Sequence, residues 1–147
     1  MPNVLFVCTG NTCRSVIAEY LARHRLDPGS ANCESAGIRL VPSENAANAI
    51  ETLRRNFQID ASGHKPRAIG EIDLSRFDVV VAIDDPGGNK VYVNLKNRVV
   101  PGTRLVKWKI ADPWNGEDAT QYDRCATETA RNINELKRDI LNKPGKS

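Results

Sequence analysis

The sequence contains no long hydrophobic run. Its apolar stretches stop well short of the roughly 20 residues that a membrane-spanning helix needs. The opening residues, MPNVLFVCTG, lack the basic segment and the cleavage site of a secretory signal peptide. We therefore expect a cytoplasmic protein without a membrane partner.

Neither sign of charge is in strong excess. The chain carries 21 lysine and arginine residues against 18 aspartate and glutamate residues, a net charge of +3, and the basic residues are scattered along it. A nucleic-acid-binding protein gathers its basic residues on one face or along one helix. The sequence therefore predicts no nucleic-acid partner.

Potential metal ligands are also few. The two histidines, His24 and His64, have no ligand-like spacing, and the sequence contains no Cys-x-x-Cys pair. It also lacks the lysine-containing phosphate loop of nucleotide hydrolases and the Gly-x-Gly-x-x-Gly motif of dinucleotide-binding proteins. We expect neither a metal nor a cofactor. In a reducing cytoplasm the four cysteines are expected to be mostly reduced thiols: Cys8, Cys13, Cys33 and Cys125.

Short apolar runs, typical of buried strands, alternate along the chain with segments of helical spacing. The pattern predicts strands at 3–8, 31–38, 77–83 and 105–110 and helices at 14–25, 44–57, 89–96 and 118–141. This alternation predicts an α/β fold with three α/β/α layers around a four-stranded parallel sheet. We find no linker or repeat, so residues 1–147 are expected to form a single domain.

The segment VCTGNTCRS, residues 7–15, joins the first predicted strand to the first predicted helix. Ligands of such sheets bind beyond the carboxyl ends of the strands. Gly10 and Asn11 favour a tight turn whose amides surround an anion, at a helix end that favours negative charge. Cys8 would lie at the base of this turn as a thiolate, and Arg14 could grip two oxygens of a phosphate group. These are the parts needed to transfer a phosphoryl group to cysteine, although a buried strand cysteine and a surface arginine would share the spacing.

The segment 8–15 also closely resembles the active-site loop of the low-molecular-weight protein tyrosine phosphatases. That family carries its general acid in an Asp-Pro-aromatic motif near the carboxyl terminus, and Asp112-Pro113-Trp114 follows the fourth predicted strand. Looser similarity is found at 34–37 (ESAG), 64–67 (HKPR) and 77–84 (FDVVVAID). The resemblance implies a flavodoxin-like sheet of the phosphotyrosine phosphatase I-like type.

The resemblance also implies a two-step reaction without metal. The thiolate of Cys8 attacks phosphorus while Arg14 and the loop amides bind the equatorial oxygens. Asp112 protonates the leaving oxygen and then activates the water that hydrolyses the phosphocysteine. A turn aspartate before proline is the plainer reading of Asp112, but its position after a strand and the adjacent Trp114 favour catalysis.

Further roles follow from the same resemblance. Asn11, Ser15, Ser35 and His64 would support the loop in its strained shape. The residues expected to contact substrate are Thr9, Gly10, Asn11, Thr12, Cys13, Ser15, Leu40 and Trp114. In the family, a cysteine at the position of Cys13 can bond to the nucleophile and shield it from over-oxidation. The alternative is that Cys13 fills the core at the start of the helix.

The segment after the second predicted strand departs from the family pattern. Phosphotyrosine-specific members place an aromatic residue there as one wall of a deep slot, but residues 38–44 read IRLVPSE. Leu40 would offer a ring a poorer contact than an aromatic side chain would. The expected substrate is a phosphorylated protein, most naturally on tyrosine, or a small phosphoester.

Two other functions fit the same loop. An arsenate reductase of this fold needs further cysteines, normally after the central strand, and residues 82–89 contain none. A non-catalytic module that only binds oxyanions would be expected to have lost Cys8, Arg14 or Asp112, all of which are present. Both functions are retained as alternatives.

Overall fold

The computed structural model describes residues 2–26, 30–40, 46–113 and 119–141, without the side chains of residues 140 and 141. Its strands are β1 (Asn3–Cys8), β2 (Asn32–Gly37), β3 (Val79–Asp84) and β4 (Arg104–Lys109). Its helices are α1 (Arg14–Arg25), α2 (Ala47–Phe57), α3 (Lys90–Lys96) and α4 (Ala119–Leu141). Two short 3₁₀ helices, Ile69–Glu71 and Leu74–Arg76, precede β3.

The four strands form one parallel sheet in the order β2-β1-β3-β4. The chain leaves β1 toward β2 on one side and later returns to place β3 on the other side. The order of the strands therefore reverses at the carboxyl end of β1, where open α/β sheets bind their ligands. Cys8, the last residue of β1, pairs with Gly37 of β2 at this edge.

The sheet is apolar on both faces because successive side chains of a strand point to opposite sides. On one face, Val4, Phe6 and Val81 pack with α1, α2 and α4; on the other, Leu5 and Val80 pack with α3 and the 3₁₀ segment. This is the predicted three-layer α/β/α arrangement, and the fold class is confirmed.

The predicted elements correspond to the observed ones with small changes at their ends. β3 is central and β4 lies at the edge, and α2 begins at Ala47 with Ala46 in the N-cap position. α4 buries one face, which carries Tyr122, Cys125, Thr129, Ile133 and Leu136. None of the described helices is long and apolar enough to cross a membrane.

Candidate active site

The loop between β1 and α1 is enclosed at the carboxyl edge of the sheet. Cys8 is 3% exposed, and Asn11, Arg14 and Ser15 are buried as well. Asn11 has φ 57°, in the left-handed region that an asparagine tolerates better than most residues. The turn expected from Gly10 and Asn11 is thus present, with Asn11 in the positive-φ conformation.

A directed chain of hydrogen bonds leads to the sulfur of Cys8. The backbone N–H of Arg67 donates to Asn11 Oδ1 at 3.0 Å, which fixes the orientation of the Asn11 amide. Asn11 Nδ2 must then donate, and it does so to Ser15 Oγ and to Ser35 Oγ, each at 2.9 Å. Because Ser15 Oγ accepts from Asn11, its own proton is available for Cys8 Sγ, 2.9 Å away. A hydrogen-bond donor is therefore directed at the sulfur of Cys8.

The chain continues beyond the loop into a buried carboxylate. Ser35 Oγ donates to Glu19 Oε1 of α1 at 2.5 Å, and Glu19 pairs with Arg23. A buried carboxylate is stable only when it is paired or hydrogen-bonded, and Glu19 is both. Glu19 was not expected from the sequence, where it reads as one more charged residue on a helix.

His64 supports the loop from its other side. Its Nε2 lies 3.1 Å from the carbonyl oxygen of Asn11, and because a carbonyl only accepts, Nε2 carries the proton. The ring also makes an edge contact with Tyr20. The four residues expected to support the loop are therefore joined in one network around Asn11: Asn11, Ser15, Ser35 and His64.

The backbone of β2 packs directly under the loop at Gly37. A Cβ at this position would lie 2.8 Å from the carbonyl carbon of Gly10 and from the oxygen of Thr9. Ile38 and Arg39 then donate their N–H groups to the carbonyls of Cys8 and Thr9. Leu40 follows this contact directly and is half-buried.

We expect Gly37→Ala to displace the loop, because a methyl group at this distance from backbone atoms cannot be accommodated without a shift. Overpacking of this kind costs about 1–3 kcal/mol. If about half of this free energy is lost from the loop conformation that binds the anion, affinity for vanadate should fall by roughly an order of magnitude. Vanadate titration and thermal unfolding measure the two effects.

Gly63→Ala is the matched control, because a Cβ at Gly63 would meet nothing within 4 Å. It should change neither vanadate affinity nor thermal stability appreciably. Equal behaviour of the two variants would show that the contact under the loop is unimportant.

Arg14 is held in place by three groups at the carboxyl edge of the sheet. Its Nη1 donates to Asp85 Oδ1 and to the carbonyl of Ile110, each at 3.1 Å. Its Nη2 lies 3.5 Å from Asp112 Oδ2. The guanidinium and the carboxylate predicted to act on the two sides of a phosphate group are therefore adjacent.

Asp85 was not expected from the sequence as a site residue. Its carboxylate also accepts the backbone N–H of Asp112 at 3.1 Å, so it anchors both Arg14 and the segment that carries Asp112. Its position in the sequence could have indicated this role, because Asp85 directly follows a buried strand and therefore lies at the edge of the sheet where ligands bind. The neighbouring Asp84 has a different role and accepts the N–H groups of Val91 and Tyr92 at the start of α3.

Cys13 lies at the start of α1 and is buried in the same core cluster as Cys125 of α4. Interaction with the Cys125 side chain, and after it burial, raise the pKa of Cys13 well above its usual value. Electrostatic interactions with Cys125, Cys8 and Asp112 act in the same direction. Cys13 therefore retains its proton at neutral pH.

The remaining predicted residues are distributed as follows. Thr9 and Thr12 of the loop are half-buried, whereas Gly10 is buried. Trp114 lies outside the described residues, as do Val41 and the other residues up to 45. Within the described parts of the chain, no group of three or more histidine, cysteine or acidic side chains could hold a metal ion.

Comparison with known proteins shows which family the chain matches. Residues 3–146 match the family described as low molecular weight phosphotyrosine protein phosphatase. The chain is 30% identical over 117 residues to the low molecular weight protein-tyrosine-phosphatase PtpB of Staphylococcus aureus, covering 77% of this chain and 81% of that protein. It is 28% identical over 138 residues to an arsenate reductase of S. aureus (strain N315), covering 91% and 95%. The crystal structure of a low molecular weight protein tyrosine phosphatase from T. tengcongensis superposes with a TM-score of 0.80 at 26% identity, covering 95% of this chain and all of that one.

Proposed function

Because the chain belongs to the low molecular weight phosphotyrosine protein phosphatase family, we propose that it hydrolyses phosphate monoesters without metal, through a phosphocysteine on Cys8. The observation that carries the proposal is the convergence of three groups at one edge of the sheet. Cys8 Sγ accepts a hydrogen bond from Ser15, and Arg14 is buried at the start of α1, which follows the same loop. The carboxylate of Asp112 stands 3.5 Å from Arg14.

In the first step, the thiolate of Cys8 attacks phosphorus and the ester oxygen departs. The hydrogen bond from Ser15 stabilises the thiolate before it attacks. The same hydrogen bond stabilises the thiolate again in the second step, when the thiolate is the leaving group. Both protons of Arg14 Nη1 are committed to Asp85 and Ile110. The edge formed by Nε and Nη2 is therefore the one that would bind two equatorial oxygens.

Asp112 acts at the opposite side of the phosphoryl group. Its proton goes to the departing ester oxygen, which leaves as an alcohol or a phenol. The resulting carboxylate then takes a proton from the water that attacks the phosphocysteine, and phosphate and the Cys8 thiolate are regenerated. Asp85 acts indirectly, because it positions Arg14 and the Asp112 backbone without touching the reacting atoms.

The proposed substrate is a phosphotyrosine-bearing protein or a small phosphoester, and residues 1–147 form one phosphatase domain. The family match over residues 3–146 supports both statements. The four cysteines are described as free thiols, which suits a reducing cytoplasm. Half-buried Leu40 would provide an aliphatic contact for the leaving group.

The direct test is hydrolysis of p-nitrophenyl phosphate by the whole chain in the presence of a metal chelator. We expect turnover that the chelator does not reduce and that vanadate inhibits competitively. An inactive protein, or activity that requires an added metal ion, would contradict the proposal.

Replacing Asp85 by asparagine and replacing it by alanine should change different properties of the enzyme. Asp85→Asn keeps an acceptor for Arg14 but removes a negative charge near the bound anion, so phosphate should inhibit more strongly, by roughly 1 kcal/mol or about fivefold. Asp85→Ala removes the acceptor itself, and kcat should fall about tenfold because Arg14 and Asp112 lose a shared anchor. Inhibition constants for phosphate and values of kcat measure the two effects. A fall in kcat of the same size in both variants would show that the negative charge of Asp85 matters and its hydrogen bond to Arg14 does not.

Arsenate reduction is a second candidate, and one observation favours it. The loop after β3 contains no cysteine, but Cys13 and Cys125 are buried in the same core cluster as Cys8 and would supply the further thiols. An arsenate reductase is also among the relatives, at 28% identity. Release of arsenite from arsenate in the presence of thioredoxin, faster than hydrolysis of p-nitrophenyl phosphate, would favour this function over the phosphatase.

A further inference from the structure

Charged side chains are unevenly distributed around the loop between β1 and α1. The strand order β2-β1-β3-β4 places the segment that follows β2 on one side of this loop and the segments that follow β3 and β4 on the other. The two carboxylates that contact Arg14, those of Asp85 and Asp112, follow β3 and β4. On the β2 side, two exposed cations lie in segments that are bonded to the loop: Arg39 and Lys65. We call these two residues the cationic rim.

The backbone of Arg39 is fixed against the loop. Its N–H donates to the carbonyl of Thr9 at 3.0 Å, and the N–H of Ile38 donates to the carbonyl of Cys8 at 3.1 Å. Arg39 also directly precedes Leu40, the residue expected to contact the leaving group. A long cationic side chain therefore begins at a fixed point beside the proposed phosphoryl site.

Lys65 lies between two residues that hold the loop from the same side. His64 Nε2 is 3.1 Å from the carbonyl oxygen of Asn11, and the N–H of Arg67 donates to Asn11 Oδ1 at 3.0 Å. This segment is joined in turn to the end of β2, because the N–H of Gly37 donates to the carbonyl of Arg67 at 2.8 Å. The two members of the cationic rim thus belong to one connected border of the loop.

The charges of the cationic rim are available to a ligand. Within the described parts of the chain, neither side chain makes an ion pair or a hydrogen bond. Two other cations near the loop are already engaged, since Arg67 pairs with Glu34 at 2.9 Å and the ammonium group of Lys109 binds the carbonyl of Gly88. An anionic group that approaches the loop from the β2 side therefore meets two cations that have no carboxylate partner among the described residues.

We propose that the cationic rim binds acidic side chains that flank the phosphorylated residue of a protein substrate. The inference deepens the proposed function and rests on it in placing the phosphoryl group in the loop. It names the substrate class as a phosphoprotein whose phosphotyrosine lies in an acidic segment. A flanking carboxylate would find a planar, two-pronged partner in Arg39 and a compact point charge in Lys65.

The same distribution of charge orients the substrate. A carboxylate beside the phosphorylated residue would be repelled by Asp85, whose side chain is 61% exposed, if the segment extended over β3. It is attracted if the segment extends over the end of β2. A substrate such as p-nitrophenyl phosphate has no second negative charge and cannot use the cationic rim. The cationic rim therefore distinguishes substrates by what surrounds the phosphorylated residue.

The test compares two phosphotyrosine peptides that differ only in carrying glutamate or glutamine on both sides of the phosphotyrosine. The whole chain carrying Cys8→Ser is titrated into each labelled peptide, and binding is followed by fluorescence anisotropy. At low salt the glutamate peptide should bind roughly fivefold more tightly, the scale of two exposed ion pairs. In about 1 M sodium chloride, where the screening length is about 3 Å, this preference should disappear.

Arg39→Gln and Lys65→Gln remove the charges of the cationic rim one at a time. Each should lower the ratio of the two affinities about twofold, and the double variant should bring the ratio close to one. Lys90→Gln is the matched control, because Lys90 is exposed at the start of α3, on the β3 side of the same sheet edge. It removes the same charge and should leave the ratio unchanged. If Cys8→Ser binds neither peptide, the ratio of kcat/KM for the two peptides, measured with Cys8 intact, makes the same comparison.

The inference is overturned if both peptides bind equally, if the double variant keeps the preference, or if Lys90→Gln weakens the preference as much as the replacements in the cationic rim do. The affinities do not depend on turnover, so their result is separate from that of the phosphatase assay. A protein that hydrolyses p-nitrophenyl phosphate but shows no preference, or accepts neither peptide, loses this inference alone. A protein that prefers the glutamate peptide through the cationic rim but hydrolyses no ester loses the proposed function alone.

Discussion

Replacing Cys8 by serine is expected to abolish hydrolysis of p-nitrophenyl phosphate, with a loss of about 10⁴-fold or more in kcat, the scale seen when a catalytic nucleophile is removed. A serine hydroxyl keeps its proton at neutral pH, and among the described residues its hydrogen-bond partner is a donor and not a base. The network around it supplies donors instead, since Ser15 has its proton directed at the position of Cys8 Sγ. Initial rates with a chelator present measure the loss.

The same Cys8→Ser variant should still bind vanadate, because Arg14 and the loop remain. Hydroxyl and thiol are similar in size, so the buried end of β1 should stay intact. Cys33→Ser, at another buried strand position, should keep full activity. Retained hydrolysis by Cys8→Ser would contradict the mechanism, and loss of both turnover and vanadate binding would point to a collapsed loop instead.

Replacing Asp112 by asparagine is expected to lower kcat by about 10²–10⁴-fold for a substrate whose leaving group needs a proton, the usual contribution of general acid catalysis. Asparagine retains the shape of the side chain but can neither donate the proton nor accept it from water. The loss should be smaller with p-nitrophenyl phosphate than with phenyl phosphate, because p-nitrophenolate leaves readily without protonation. Values of kcat for the two esters measure the difference.

Asp85→Asn is the control for this second prediction. It removes the other carboxylate that contacts Arg14, but Asp85 stands 61% exposed and does not touch the reacting atoms. We expect its kcat to remain near that of the parent with both esters. Equal losses in Asp112→Asn and Asp85→Asn would mean that both carboxylates act only by holding Arg14.

The elements and the loop could be predicted from the sequence because their signals are local. The apolar run 3–8, the turn formed by Gly10 and Asn11 and the helical spacing after Arg14 lie within a short segment, and each specifies its own structure. The alternation of strands and helices then restricts the topology, since parallel strands need crossover connections. This is why the fold class was within reach of the sequence.

The residues that the sequence did not indicate act across the fold. Asp85 contacts Arg14 over 71 residues of chain, and Glu19 matters only because the folded β2 brings Ser35 to it. The burial of Cys13 and Cys125 in one cluster depends on how α4 packs against α1, which no local pattern encodes. The resemblance to a known family led to Ser35 and His64, whose own sequence surroundings would indicate an ordinary strand residue and a loop histidine.

The central claim, that phosphate passes through Cys8, is tested most directly by trapping the intermediate in Asp112→Asn. With p-nitrophenyl phosphate the first step remains fast, because the leaving group needs no proton, while hydrolysis of the intermediate lacks its base. Samples quenched within the first turnover should therefore carry phosphate on Cys8, as identified by peptide mass spectrometry, with a matching burst of p-nitrophenol. Turnover with no phosphate on Cys8, or phosphate on another residue, would contradict the mechanism.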